Sequence, residues 1–163
     1  MFEKLYQKRD ANTIVSPADG EFIRLENVPD PIFSAKLVGE GFAIHPSTGR
    51  IASPVDGQII NTSETNHIIS VRNAEGIDVL IHVGLETVSL RGKGFKRFVE
   101  LGQHVKKGEP LLEFDLEYLK DNAYSTLIST IFTNIKNRDF ALIWKETGEL
   151  IAGETKIVLL VEK

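Results

Sequence analysis

Short apolar runs separated by clusters of Gly, Pro, Asn and Asp fill the chain from residue 12 onward. The runs that predict strands are residues 21–25, 58–60, 67–71, 77–85 and 156–161. Many short strands with such punctuation predict an all-β fold, an antiparallel β-sandwich or barrel. Helical signal is sparse, and only residues 93–100 and 116–123 predict a short helical turn each.

An eight-residue motif occurs twice along the chain. Residues 16–23 read SPADGEFI and residues 53–60 read SPVDGQII, 37 positions later. Each copy predicts a Pro-initiated turn closed by Asp-Gly and followed by a strand. Residues 102–112 form a third turn of this kind. We therefore expect duplicated β-units in a single domain over residues 12–163, preceded by a leader over residues 1–11.

Composition narrows the possible functions. The chain has 163 residues, no cysteine and a net charge of −4. The missing thiol excludes disulfides, thiolate zinc sites and a cysteine nucleophile, and the acidic balance disfavours nucleic-acid binding. No apolar run has the length needed to span a bilayer and no signal peptide is evident, so a cytoplasmic protein is expected. Four histidines remain as candidates for chemistry: His45, His67, His82 and His104.

Two of these histidines fall within one predicted hairpin. Residues 77–85 read as a strand buried on both faces, with Leu80 and His82 on one face. If Ala74 and Glu75 are the central turn residues, His67 lies directly opposite His82. A longer loop with a bulge would shift this pairing by one residue. His45 and His104 have no such partner, and we expect both to be structural or surface residues.

Facing imidazoles support more than one chemistry. They could ligate zinc together with further ligands that are not visible nearby. Alternatively, one ring could carry a phosphoryl group while the other donates a hydrogen bond to it. A third interpretation is a hydrogen-bonded pair of core histidines without chemistry. Thr65, on the same predicted face as His67, makes a functional pair the preferred interpretation.

Several motifs around these histidines resemble a known family. The most specific are ETNH at residues 64–67, HVGLETV at 82–88 and LRGKGF at 90–95. Supporting stretches are residues 28–33, 53–57 and 111–115. In these motifs the chain resembles the enzyme IIA domain of the glucose family of the bacterial phosphoenolpyruvate-dependent sugar phosphotransferase system. The resemblance implies a phosphocarrier with an antiparallel β-sandwich fold.

The resemblance also implies roles for individual residues. His82 would accept a phosphoryl group on Nε2 from the small carrier protein HPr and pass it to a cysteine of a IIB domain during membrane transport. His67 would stabilise the phosphate, and Thr65 would hydrogen-bond His67 or the phosphate. The Gly84 carbonyl would hold Nδ1–H of His82. No cofactor would be required, although zinc could bind His67 and His82 in partner complexes, and regulated target proteins are further possible partners.

A partner-docking surface is implied as well. Its residues form an apolar depression with one acidic neighbour: Ile32, Phe33, Leu37, Val38, Phe42, Leu80, Glu86 and Val88. Phe33 and Phe42 are expected at the surface because each follows a nearby Pro or Gly. The family often has a shorter acid at Glu86, and Phe at Ser63 and Leu80, so partner choice could differ here.

Two other classes fit the sequence less well. A lipoyl or biotinyl carrier needs a lysine at the tip of a tight hairpin, and no matching turn is present. A zinc peptidase of related β-architecture needs a His-x-His pair and an Asp ligand, which neither His67 nor His82 has nearby.

Overall fold

Three antiparallel sheets hold most of the regular structure in the computed structural model, which describes residues 12–145 and 148–163. The strands are β1 Thr13–Val15, β2 Gly20–Arg24, β3 Glu40–Pro46, β4 Arg50–Ala52, β5 Gly57–Thr62, β6 Ile68–Asn73, β7 Asp78–Leu85, β8 Phe95–Arg97, β9 His104–Val105, β10 Pro110–Phe114, β11 Ser125–Phe132, β12 Phe140–Trp144, β13 Glu149–Leu150 and β14 Lys156–Glu162. The helices are α1 Pro31–Ser34 and α2 Leu116–Asn122, with 3₁₀ turns at Leu25–Asn27, Thr87–Leu90 and Ile135–Asn137. Over the described ranges, no helix is long and apolar enough to cross a membrane.

The strand order confirms the predicted β-sandwich. An eight-stranded sheet has the order β13-β2-β3-β11-β7-β6-β5-β9, and two three-stranded sheets have the orders β1-β14-β12 and β4-β10-β8. The main hydrophobic core draws side chains from the large sheet and from both small ones. The large sheet runs from β13 to β9 without closing into a barrel. The predicted leader, residues 1–11, lies outside the described residues.

The predicted duplication is visible in the backbone. Each half of the large sheet has four strands, and β7 and β11 pair at its centre. The two copies of the octad also bond to each other reciprocally. Val15 N–H donates to the Pro54 carbonyl at 3.1 Å, and Ala52 N–H donates to the Pro17 carbonyl at 2.8 Å. The two donors, Val15 and Ala52, are 37 residues apart, and so are the two acceptors, Pro17 and Pro54. The repeat in the sequence is therefore a repeat in the structure.

The hairpin between β6 and β7 has a register one residue away from the direct pairing of the histidines. Ile68, not His67, is the strand partner of His82. The turn has three central residues instead of two, because Gly76 adopts a positive φ of 82° and the Asn73 side chain accepts hydrogen bonds from Glu75 N and Ile77 N. This loop is the longer, bulged type that the Asn and Gly residues allowed.

The helical predictions had mixed outcomes. The turn at residues 116–123 is confirmed as α2, whose N-cap Asp115 accepts a hydrogen bond from Tyr118 N. The turn predicted at residues 93–100 is wrong, since that segment contains β8 paired with β10. There Phe95 packs against Phe114 with ring centroids 6.3 Å apart. Cross-strand aromatic packing thus outweighs the weak local helical signal.

Strand alternation places His82 on the outer face of the large sheet. Val79, Ile81 and Val83 are fully buried in the main core, whereas His82 is half-buried on the opposite face. A second apolar cluster covers this outer face, built from Leu25, Val28, Phe33, Ala43, Leu85 and Ile131. The segment around α1 therefore forms a wall beside His82 and leaves the ring partly open to solvent.

Candidate functional site

The His82 ring is held in one tautomer by its own strand. Its Nδ1 lies 2.8 Å from the Gly84 carbonyl oxygen. A carbonyl can only accept, so Nδ1 carries the proton and Nε2 of the neutral ring keeps its lone pair. This is the contact expected for Gly84 from the sequence. It makes Nε2 the nucleophilic atom of the ring.

His67 reaches the same site from the residue before β6. Its ring centroid lies 5.0 Å from that of His82, with the ring planes at 83°. The chain bends at Asn66, which has a positive φ of 61°. This bend brings the two rings together even though their backbones are not paired. His67 is buried, and its Nδ1 lies 2.6 Å from the Thr65 hydroxyl oxygen. Thr65, His67, His82 and Gly84 thus form one connected site.

Burial keeps both rings uncharged near neutral pH. Desolvation, helped by the neighbouring His82, lowers the pKa of His67 to about 4. Desolvation also lowers the pKa of His82, although the Gly84 carbonyl and the Asp30 carboxylate favour its charged form. A neutral His82 keeps a free lone pair, and a neutral His67 has one N–H to donate.

The wall beside His82 is built by α1. Asp30 caps the helix by accepting a hydrogen bond from Ile32 N at 3.0 Å, and Pro31 occupies the first turn. Phe33 on this helix lies edge-on to His82, with ring centroids 5.1 Å apart. Neither the helix nor the charge of Asp30 beside His82 was predicted from the sequence. The signal was present, because Asp followed by Pro is a helix-start pattern.

The predicted docking residues differ in their exposure to solvent. Ile32, Leu37 and Val88 are well exposed, at 52%, 74% and 60%. Val38 and Leu80 are half-buried, and Glu86 is exposed with a positive φ of 58°.

The expected surface position of the two phenylalanines is wrong. Phe33 is only 6% exposed because it packs against His82. Phe42 is fully buried and stacks against Phe22 at 5.8 Å, on the core face of the sheet opposite to His82. The Gly before Phe42 permits close strand packing, since a Cβ on Gly41 would lie 2.1 Å from the Thr130 carbonyl oxygen.

His45 and His104 are both exposed. Within residues 12–145 and 148–163, no group of three or more His, Asp or Glu side chains is placed to hold a metal ion. A zinc ion on His67 and His82 would need ligands from outside these residues, so the structure gives zinc no support.

Comparisons with known proteins agree with this architecture. The profile of the phosphoenolpyruvate-dependent sugar phosphotransferase system, EIIA 1 family matches residues 12–138. The glucose-specific EIIA components of Staphylococcus epidermidis and Staphylococcus aureus are each 40% identical over 162 residues, covering 97% of both chains. The solved structure of glucose permease IIA from Mycoplasma capricolum superposes with a TM-score of 0.80 at 32% identity, covering 91% of this chain and 93% of the other. The chain therefore belongs to the EIIA 1 family of the phosphoenolpyruvate-dependent sugar phosphotransferase system.

Proposed function

We propose that this protein is a phosphocarrier that takes up a phosphoryl group on Nε2 of His82. The observation that carries the proposal is the bond between His82 Nδ1–H and the Gly84 carbonyl, which leaves Nε2 unprotonated. Nε2 attacks phosphorus as the bond to the donor nitrogen breaks, and the donor ring leaves with its lone pair. Because Nδ1 keeps its proton throughout, this step needs no proton acceptor. Exchange between two imidazoles is close to thermoneutral, so alignment is the main requirement.

His67 and Thr65 stabilise the transferred group. The Thr65 hydroxyl, 2.6 Å from His67 Nδ1, is assigned as the donor in that bond. His67 then carries its single proton on Nε2, where it can be donated to a phosphate oxygen on His82. The lowered pKa of His67 supports this role, because the ring is neutral at pH 7 before the phosphate arrives. Preorganised donors of this kind stabilise the charge of a transferring phosphoryl group.

The donor is the phosphohistidine of HPr, and the receiver is a cysteine on a IIB domain of a membrane transporter. A cytoplasmic location, where these partners meet, follows from the same proposal. Ile32, Leu37 and Val88 form an exposed apolar rim near the histidines and are assigned to docking. The names of the relatives make a glucose permease the first receiver to test. Leu80 and Ser63 replace aromatic residues common in the family and would tune the choice of partner.

The test is phosphorylation with phosphoenolpyruvate, enzyme I and HPr. The wild-type protein should gain one acid-labile phosphoryl group, and His82→Ala should gain none. His45→Ala and His104→Ala, at exposed histidines outside the site, are the matched controls and should label normally. Normal labelling of His82→Ala would overturn the proposal.

A further inference from the structure

A β-bulge lies directly opposite Gly84. In the ladder between β7 and β11, Leu85 pairs with Ser125 and Val83 pairs with Ile128. Two residues of β11, Thr126 and Leu127, therefore oppose Gly84 alone. An extra residue of this kind leaves part of the ladder unpaired and increases the local twist. Gly84 thus has no regular strand partner, and its carbonyl bonds to the His82 ring instead.

The Ser125 side chain holds this bulge in place. Its hydroxyl oxygen accepts a hydrogen bond from Leu127 N at 3.1 Å. The main-chain N–H of Tyr124 donates to the Leu85 carbonyl at 3.2 Å, which ties the residue before Ser125 to β7. One hydroxyl and one main-chain bond therefore fix the part of β11 that faces Gly84. Without the hydroxyl, the N–H of Leu127 would lose this partner, and the bulge would be free to realign.

Thr87 also contacts the backbone around Gly84. Its hydroxyl donates to the Val83 carbonyl at 2.7 Å, which fixes the peptide plane immediately before Gly84. A Cβ on Gly84 would lie 2.6 Å from the Thr87 methyl and 3.0 Å from the Ser125 carbonyl. Gly84 has a positive φ of 75°, and Thr87 is fully buried. Gly84 is therefore closely packed against both Thr87 and the Ser125 backbone.

We propose that Ser125 and Thr87 are positioning residues that aim the Gly84 carbonyl at Nδ1 of His82. Neither hydroxyl bonds to the His82 ring, and both act through the backbone of Gly84. They would fix the ring tautomer and so keep Nε2 available as the nucleophile. The catalytic consequence rests on the proposed phosphocarrier function, whereas the effect on the tautomer does not.

The test compares Ser125→Ala and Thr87→Val with the wild type. Thr87→Val keeps the shape of the side chain and removes only the hydroxyl. The ¹⁵N NMR shifts of the His82 ring report which nitrogen is protonated. We expect both variants to lose the pure Nδ1–H tautomer and to accept the phosphoryl group roughly tenfold more slowly, as the loss of one hydrogen bond allows. Ser125→Thr keeps a hydroxyl and should show the wild-type tautomer of His82 and the wild-type rate of phosphoryl acceptance.

Ser53→Ala is the structural control. It removes a buried turn hydroxyl, bonded to the Val55 carbonyl at 2.6 Å, in a turn outside the site. It should change the folding stability but neither the tautomer nor the rate. Wild-type tautomer in both site variants, or an equal change in Ser53→Ala, would overturn the proposal. If His82→Ala still becomes phosphorylated, while Ser125→Ala and Thr87→Val change the His82 tautomer as expected, the phosphocarrier assignment fails and the positioning role stands.

Discussion

The rings of His67, which immediately precedes β6, and His82, on β7, lie edge to face with centroids 5.0 Å apart. Thr65 fixes the Nδ1 side of the first ring, and the Gly84 carbonyl fixes the Nδ1 side of the second. Each ring thus has one nitrogen bound to its own chain segment. The other nitrogen of each ring is left for chemistry. Under the proposed function, the two rings take separate roles, His82 as the nucleophile and His67 as the hydrogen-bond donor.

Replacing His67, the proposed hydrogen-bond donor, should separate acceptance of the phosphoryl group by His82 from its onward transfer. His67→Gln should still become phosphorylated, because His82 and its Gly84 contact are unchanged. Transfer to a IIB domain should slow by roughly tenfold to a hundredfold, since a hydrogen bond to a charged group contributes about 1.5–3 kcal/mol. Single-turnover transfer from the phosphorylated protein measures this rate. Onward transfer at the wild-type rate would remove the role of His67.

The buried His67 should also make folding stability depend on pH. Its pKa is about 4 in the folded protein, against the ordinary value of 6.5. Between these values the unfolded chain binds a proton that the folded protein does not, so the free energy of unfolding rises with pH. The contribution of neutral His67 to the free energy of unfolding is fully present above about pH 6.5 and is lost as the pH falls through about 4. Its upper limit is about 3 kcal/mol.

Urea unfolding at several pH values measures this dependence. His67→Gln should flatten the slope between about pH 4.5 and 6.5. His104→Gln is the matched control, because His104 is exposed, and it should keep the wild-type slope. A His67→Gln variant with an unchanged slope would show that His67 is not the responsible group.

The duplicated turns offer a stability test with an internal control. Asp19 and Asp56 occupy equivalent positions in the two octads, and each accepts a main-chain N–H, from Ala152 at 2.8 Å and from Lys107 at 2.6 Å. Asp19 also binds Arg50 and accepts a hydrogen bond from the Thr48 hydroxyl at 2.7 Å, and the Arg50 bond is the largest cause that lowers the pKa of the Asp19 carboxyl to about 2. Asp19→Asn should therefore cost roughly 1–2 kcal/mol more than Asp56→Asn in urea unfolding at pH 7. Equal costs would mean that the Arg50 pair contributes nothing. The extra cost should disappear as the pH falls from 3.8 through about 2, where Asp19 becomes protonated.

The sequence predicted the β class, the duplication and the two histidines, because strand alternation and repeated turns are local patterns. It left the hairpin register open by one residue, since an Asn-to-Gly loop can hold two or three central residues. In the structure the loop has three central residues, because Gly76 adopts a positive φ. The bend at Asn66 then restored the contact between the rings. Neither backbone conformation follows from the residue types alone.

Burial across the sheet was harder to predict than strand alternation. Phe42 follows Gly41 and was expected at the surface, but its ring stacks against Phe22 from the neighbouring strand. That contact depends on the order of β2 and β3, which local sequence does not specify. The Ser125 bulge was invisible for the same reason, because a bulge is a relation between two strands. The proximity of the two histidines was predictable from the sequence, whereas the residues that surround them could be identified only from the pairing of the strands.

The exposed apolar rim should control the rate of phosphoryl transfer between proteins. Leu37→Asp and Val88→Asp should each lower kcat/KM with HPr by roughly fivefold or more, because a charge placed in an apolar contact costs about 1 kcal/mol or more. Stability should change by at most about 0.5 kcal/mol, since both side chains are exposed. Ile143→Asp is the matched control, because Ile143 is 48% exposed on β12 in a different sheet. It should leave the transfer rate unchanged. Wild-type rates in both rim variants would mean that HPr docks elsewhere.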